Sequence, residues 1–384
     1  MTKNFRLIIL GAGFSRPAGY PLAKDLWETI LSISKGFSSS RRESKFNDDL
    51  RYYLKFLEDA KDIKIKPESI NFEQFMSHLD REHFLGLRGG DTWSDEGNEG
   101  TIVVKTLIGH ILANQLVTTP SIPELYLEFA RRLQPSDYII TFNYDILLER
   151  ALDAVGKPYR LFPNRYKSIG PYSGIVDDRR DEVVILKVHG SIDWFDKKNF
   201  NRRVQEYSEQ GASSPKDLIF SNEEKFGVEP LVDGPRLEHD SLQYIHRVRH
   251  IEALYSQPLM FLATPRLLSP STDKIIYSNT VGNLWEGVDS AGTHNLSMAI
   301  IGFSLPPQDE YSLQIFYSMI RNYQFIEWDT EILGRKKSPL VLVDKFSCEA
   351  EEVAYRERYR FVDWKKSTLL GNGFNEQTLD VIFS

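Results

Sequence analysis

Asn143, Asp145 and His189 are the residues whose types and settings best suit chemistry on a bound ligand. Asn143 and Asp145 stand in Thr141-Phe-Asn143-Tyr-Asp145, where the apolar run Tyr138–Phe142 ends. His189 opens His189-Gly190-Ser191 after a second run, Val183–Val188. A carboxamide can hold a hydroxyl or a water, a carboxylate can orient a neighbour, and a neutral imidazole can accept a proton. Open α/β sheets bind ligands at the carboxyl ends of their strands, which is where these residues fall. Each also has a plainer reading. Asn143 or Asp145 would serve as a helix cap, and a lone histidine is more often structural than catalytic. Gly190 forces a turn that aims the His189 ring over the strand end.

Two glycine loops accompany them. Leu7-Ile-Ile-Leu10 runs into Gly11-Ala12-Gly13-Phe-Ser15 and then toward a helix. In such a loop Gly11 permits a tight turn, Gly13 lets backbone approach a pyrophosphate, and amide N–H groups face the anion. Ser15 adds a hydroxyl. The standard dinucleotide fingerprint wants glycine where Arg16 stands; the plainer reading is a linking turn. The run Leu296–Ile301 ends in Gly302-Phe-Ser304, placed to meet ribose or phosphate, or simply to start a helix at Pro306 or Pro307. Thr141 and Asp344 complete the set of strand-end polar residues.

The elements that must position these residues can be read from periodicity. Six apolar runs predict buried strands: Phe5–Leu10, Tyr138–Phe142, Val183–Val188, Leu259–Ala263, Leu296–Ile301 and Leu340–Val343. Continuous rather than alternating apolar runs indicate strands covered on both faces. Amphipathic stretches between them, such as Leu22–Leu31 and Ile122–Leu133, predict helices. The expected fold is α/β: a Rossmann-like, doubly wound parallel sheet of about six strands. The segment Gly11–Asp137 is far longer than a crossover needs. Helical patterns at Asp49–Leu57, Phe72–Leu79 and Thr106–Leu116 place an inserted helical subdomain at 36–134, within a catalytic domain of 1–35 and 135–384. Arg88–Gly100 reads as a loop. A polar insertion at 196–257 reads as loops with some helix.

Composition narrows the function. There are 47 basic and 54 acidic residues, a net charge of −7, which gives no support to nucleic-acid binding. The pairs Arg131–Arg132 and Arg202–Arg203 read as solvated faces. The single cysteine, Cys348, excludes an intrachain disulfide and a four-cysteine zinc site, so no metal is expected. No stretch reaches the ~20 apolar residues of a membrane span, and the first residues do not read as a signal peptide. The expectation is a cytoplasmic protein.

Taken together, the four motifs resemble the sirtuin-like superfamily. Gly11-Ala-Gly13-Phe-Ser15 is similar to its Gly-Ala-Gly-x-Ser loop, Thr141-Phe-Asn143-Tyr-Asp145 to its Thr-x-Asn-x-Asp segment, His189-Gly190 to its catalytic His-Gly pair, and Gly302-Phe-Ser304-Leu305 to its Gly-Thr-Ser-Leu loop. The protein deacetylases of that superfamily carry a zinc ribbon and a Pro-Asp-Phe-Arg segment; here Pro21 leads into Leu22-Ala-Lys-Asp. Tyr144, His189–Trp194 and the Gly302–Pro306 segment are instead similar to bacterial sirtuin-like proteins of antiphage defence, which hydrolyse NAD to nicotinamide and ADP-ribose.

That resemblance implies NAD as substrate and Asn143 and His189 as the catalytic pair, with Asp145 beside them. Gly11, Ala12, Gly13 and Ser15 would hold the diphosphate, with Gly302 and Ser304 on the adenosine side, and Thr141 and Asp344 would also belong to the NAD-binding set. By size and layout the chain resembles members paired with a HerA-type hexameric ATPase, so a partner in trans and a homo-oligomer are further expectations. A non-catalytic NAD or ADP-ribose sensor and an NAD-dependent deacylase are the alternatives. A histidine base would give a pH–rate curve with an acid limb near its ordinary pKa of ~6.5.

Overall fold

The computed structural model describes residues 6–37, 44–87, 97–171, 173–177, 179–211, 213, 216–257, 264–271, 282–285, 287–306, 309–326, 334 and 336–384. The strands are β1 (Arg6–Leu10), β2 (Tyr138–Thr141), β3 (Tyr159–Arg160), β4 (Tyr166–Ile169), β5 (Gly174–Val176), β6 (Val183–Lys187), β7 (Trp194–Asp196), β8 (Val228–Pro230), β9 (Ile245–Val248), β10 (Ser297–Ile301), β11 (Leu340–Val343) and β12 (Ser367–Leu370). Seven of them form one parallel sheet in the order β12-β11-β10-β1-β2-β6-β3. β1, β6 and β11 are buried at every residue, which is why their sequences are apolar except for Arg6 and Lys187, at one end of β1 and of β6.

Five of the six expected strands are present. The sixth, Leu259–Ala263, lies outside the described residues. The sheet gains two strands that the apolar runs did not mark. β12 is only partly buried along its length and starts Ser367-Thr368, and β3 has two residues. Both are edge strands, where one side faces water and no apolar run is required.

The strand ends are level. Leu10 pairs with Thr141 on one side and Ile301 on the other, Thr141 with Lys187, Ile301 with Val343, and Val343 with Leu370. Gly11, Phe142, Val188, Gly302 and Asp344 therefore leave the sheet in one row. The chain passes outward from β1 through β2 to β6, then returns to β10 on the opposite side of β1. That reversal makes the crevice above β1 and β10 the place where such sheets take ligands.

The insertion between β1 and β2 is helical: α1 (Ala23–Ser34), α2 (Ser44–Lys61), α3 (Phe72–Phe84), α4 (Glu99–Thr118) and α5 (Glu124–Arg132). Trp27 of α1 stacks on Phe72 of α3 at 5.2 Å between centroids, and its Nε1 donates to the Pro67 carbonyl at 3.0 Å. Phe46 and Phe75 pack against Trp27 and Tyr53 against Phe75, and the apolar core they form is continuous with one face of the sheet. The Asn98 side chain starts α4 by accepting from the Thr101 amide at 2.8 Å. Contrary to the composition reading, α4 is long and apolar enough to cross a membrane by length and composition; most of it is buried within the fold. A helix covered on all sides needs no polar stripe.

After β2 the chain forms α6 (Leu147–Ala154). The 196–257 insertion carries α7 (Lys198–Glu209) but also an antiparallel sheet, β7-β9-β8, in place of the expected loops. These strands are three to four residues long, too short to print a period of two on the sequence. Two further helices, α8 (Glu310–Phe325) and α9 (Glu349–Arg358), cover the sheet beyond β10 and β11.

Candidate functional site

The row of strand ends opens into a cavity of about 1020 Å³. Its walls include Ala12, Gly13, Ser15, Asn143, Asp145 and His189, and also Gly302, Ser304 and Asp344. Of the residues singled out from the sequence, Thr141 and Gly11 are not on that wall. Thr141 is buried at the end of β2, where its Oγ1 accepts the Asn143 amide at 3.1 Å.

The glycine loop is built by close approach, but to another loop of the same chain. The Gly11 amide donates to the Ile301 carbonyl and the Gly13 amide to the Gly302 carbonyl, both at 2.9 Å. A Cβ on Gly13 would lie 2.7 Å from the Gly302 Cα. One on Gly302, whose φ is +64°, would lie 2.3 Å from the Phe14 nitrogen. These amides therefore knit the loops after β1 and β10 together and do not face an anion. Cationic side chains stand at the cavity instead: Arg16, Lys24, Lys345 and Arg358 all line it. Arg358 Nε also donates to the Ser304 carbonyl at 2.7 Å, which fixes the second loop.

Phe14 anchors the first loop from behind. Its ring lies among Tyr126, Phe129 and Phe374, and the Tyr126 hydroxyl donates to its carbonyl at 2.7 Å. Full burial of such a ring contributes about 1.5–3 kcal/mol.

Hydrogen bonds join three of the expected residues. Asn143 Nδ2 donates to the Gly11 carbonyl at 3.0 Å and to Ser15 Oγ at 3.2 Å. The Ser15 hydroxyl in turn bonds the Asp145 carboxylate. Asp145 also accepts the Leu147 amide at 3.0 Å, so it starts α6 as well as facing the cavity. Burial pushes its carboxyl above the usual carboxylate range, and the nearby Lys187 ammonium opposes that shift. Lys187 is itself buried at the end of β6. It donates to the Asp145 carbonyl and, at 2.7 Å, to Glu149 Oε1. This ion pair holds the start of α6 against β6 beneath the cavity.

His189 sits at the top of β6, edge-on to Phe142 with centroids 5.0 Å apart. Gly190 follows at φ +80°, and a Cβ there would lie 2.0 Å from the Arg266 carbonyl, so only glycine fits this turn. The Leu268 amide donates to the His189 carbonyl at 2.8 Å. His189 Nε2 is 2.6 Å from the Tyr311 hydroxyl on α8, and Trp285 packs beside both rings while its Nε1 donates to the Val188 carbonyl at 2.9 Å. Neither Tyr311 nor Trp285 stands out by sequence, since an aromatic in a helix with an apolar face reads as core. At the far end Asp344 accepts the Lys345 amide at 2.8 Å, and burial raises its carboxyl. Among the described residues no group of three His, Cys, Asp or Glu side chains could hold a metal ion.

The site thus offers a carboxamide, an imidazole and a buried carboxylate around one end of a large cavity, with cations along it. Such a set can bind a phosphorylated ligand and exchange a proton with it.

Comparison with known proteins gives one family match: residues 137–261 fit the family described as a SIR2-like domain. That stretch contains Asn143, Asp145, Lys187 and His189. No curated protein matches the sequence. Solved structures that align with the chain include "The Structural basis of Sirtuin Substrate Affinity" (13% identity, TM-score 0.28, 98% of this chain and 92% of the other). They also include "Structural Basis for the Mechanism and Regulation of Sir2 Enzymes" (13%, 0.29, 98% and 90%), and "Structure of Sir2Tm bound to a propionylated peptide" (12%, 0.27, 98% and 91%).

Proposed function

We propose that this chain, SIR2-like over 137–261, hydrolyses NAD at the bond between nicotinamide and ribose, releasing nicotinamide, ADP-ribose and a proton. The observation that carries this reading is that Asn143 and His189, 46 positions apart by number, line one cavity of about 1020 Å³ together with the loops after β1 and β10. The nicotinamide of NAD leaves as a neutral molecule from a cationic ring, so its departure needs no general acid. Positive charge develops on the ribose, water adds to the anomeric carbon, and one proton is lost. Asn143 holds a ribose hydroxyl or the water, and His189 accepts the proton. Asp145 adds negative potential near the developing charge. Arg16 and Arg358 complement the diphosphate, with Ser304 and Asp344 toward the adenosine.

The same reading makes the chain an NAD-depleting effector of bacterial antiphage defence. It acts as a homo-oligomer and with a HerA-type ATPase supplied in trans. Lysine deacylation is the weaker reading, because the lone Cys348 is exposed and leaves no set of zinc thiolates.

The test is incubation of the purified chain with NAD, alone and with an ATPase encoded beside it, followed by chromatography. Nicotinamide and ADP-ribose in equal amounts are expected. Intact NAD in both incubations would refute the activity.

A further inference from the structure

His189 is held by a group that stands outside the cavity. Its Nε2 lies 2.6 Å from the hydroxyl of Tyr311, and Tyr311 is not on the cavity wall. The same phenol oxygen also meets the side chains of Ser312 and of Asp309, the latter two positions earlier in the chain and reaching the cavity. All three side chains are buried: His189 is 5% exposed, Asp309 4% and Tyr311 9%.

Counting hydrogens fixes the direction of this chain. Burial keeps the Tyr311 phenol far above its ordinary pKa, so it is neutral and has one proton to give. A carboxylate only accepts. With Asp309 as a carboxylate, the Tyr311 O–H points at Asp309, and its oxygen accepts from Ser312 and from His189. The proton in that contact then belongs to His189 Nε2, and the lone pair of the neutral ring is on Nδ1.

We propose that Tyr311 and Asp309 are positioning residues that hold His189 as the Nε2–H tautomer, with Nδ1 as its basic nitrogen. The inference rests on the reading of His189 as the base of NAD hydrolysis. The logic is that of an orienting acid behind a catalytic histidine, with a phenol inserted between them. Trp285, edge-on to Tyr311 with centroids 5.1 Å apart, helps keep water out of the contact.

The experiment reads the ring nitrogens of His189 directly. Protein labelled with 15N-histidine is compared with His189→Gln to assign the resonance, in the absence of substrate. In the unaltered chain His189 should show a protonated Nε2 and an unprotonated Nδ1. In Tyr311→Phe that preference should weaken. In Asp309→Ala combined with Ser312→Ala it should reverse, because the freed phenol proton then turns to Nε2. A merely structural role for Asp309 predicts no reversal. In turnover, Tyr311→Phe should lower kcat at least tenfold with KM within twofold. A protonated Nδ1 in the unaltered chain, or full kcat in Tyr311→Phe, would overturn the proposal. The resonance is read without NAD, so a chain that shows the expected tautomer but leaves NAD intact would refute the hydrolase reading while supporting the relay.

Discussion

The side-chain nitrogen of Asn143 donates to the backbone carbonyl of Gly11, 3.0 Å away across 132 positions of sequence. This one bond ties the loop after β2 to the loop after β1. With the bond from Asn143 to Ser15 it makes the carboxamide part of the wall that a ligand would meet. The geometry follows from the level ends of β1 and β2, where Leu10 pairs with Thr141.

Removing the middle of this chain should be costly to turnover. In Ser15→Ala, Asn143 loses an acceptor and Asp145 loses a donor, each inside the fold. An unsatisfied buried group costs about 1–3 kcal/mol. If that cost falls on the reacting geometry, kcat drops about tenfold, measurable by nicotinamide release.

Gly302 and Gly156 offer a matched comparison. Their φ values are +64° and +67°, so an added Cβ strains both backbones alike, by roughly 1–2 kcal/mol. Only at Gly302 does the Cβ also collide, 2.3 Å from Phe14 nitrogen; nothing lies within 4 Å at Gly156. Thermal melting should show a clearly larger loss for Gly302→Ala. Equal losses would mean that the loops after β1 and β10 are not packed backbone to backbone.

Lys187 and Glu149 form a buried pair under the site. Lys187→Met removes the cation bonded to buried Glu149 and should destabilise the fold by about 3–5 kcal/mol. The double variant Lys187→Met/Glu149→Leu removes both charges and should recover most of that loss. Denaturant titration of the two variants checks this.

His110 on α4 packs edge-on to Tyr255 at 4.8 Å, and burial holds it below its ordinary value of 6.5. The unfolded chain then takes up the proton more readily than the folded one. Stability is full above about pH 6.5 and declines as pH falls toward the depressed folded value. His246 is shifted in the same direction, again by burial first. Melting temperature should drop between pH 7 and pH 5, and the drop should be smaller in His110→Gln. An unchanged slope in that variant would remove His110 from the account.

What the sequence made legible, and what it did not, follows from burial. β1, β6 and β11 print nearly continuous apolar runs because both faces are covered, and those of β6 and β11 lead directly to His189 and Asp344 on the cavity wall. β12 is only partly buried at all four residues and starts with Ser367-Thr368, so it left no run. The glycines at 11, 13 and 302 marked the loops correctly, yet not what approaches them, because a spacing does not say whether a ligand or another backbone fills the gap. Arg16 stood out only as a departure from a glycine fingerprint, whereas in the fold it is a cation at the cavity. Tyr311 was invisible because its partner, His189, is 122 positions away and only the sheet order brings α8 over the end of β6.

The central claim is that Asn143 and His189 act on one substrate in one cavity. Nicotinamide release from NAD by the unaltered chain, Asn143→Ala and His189→Ala, each shown to be folded by circular dichroism, tests it most directly. The account predicts release by the unaltered chain, a loss of about 10²–10⁴ in His189→Ala, the range for a positioned proton-transfer group, and of about 10² in Asn143→Ala through lost positioning. Undiminished release by either folded variant would contradict it.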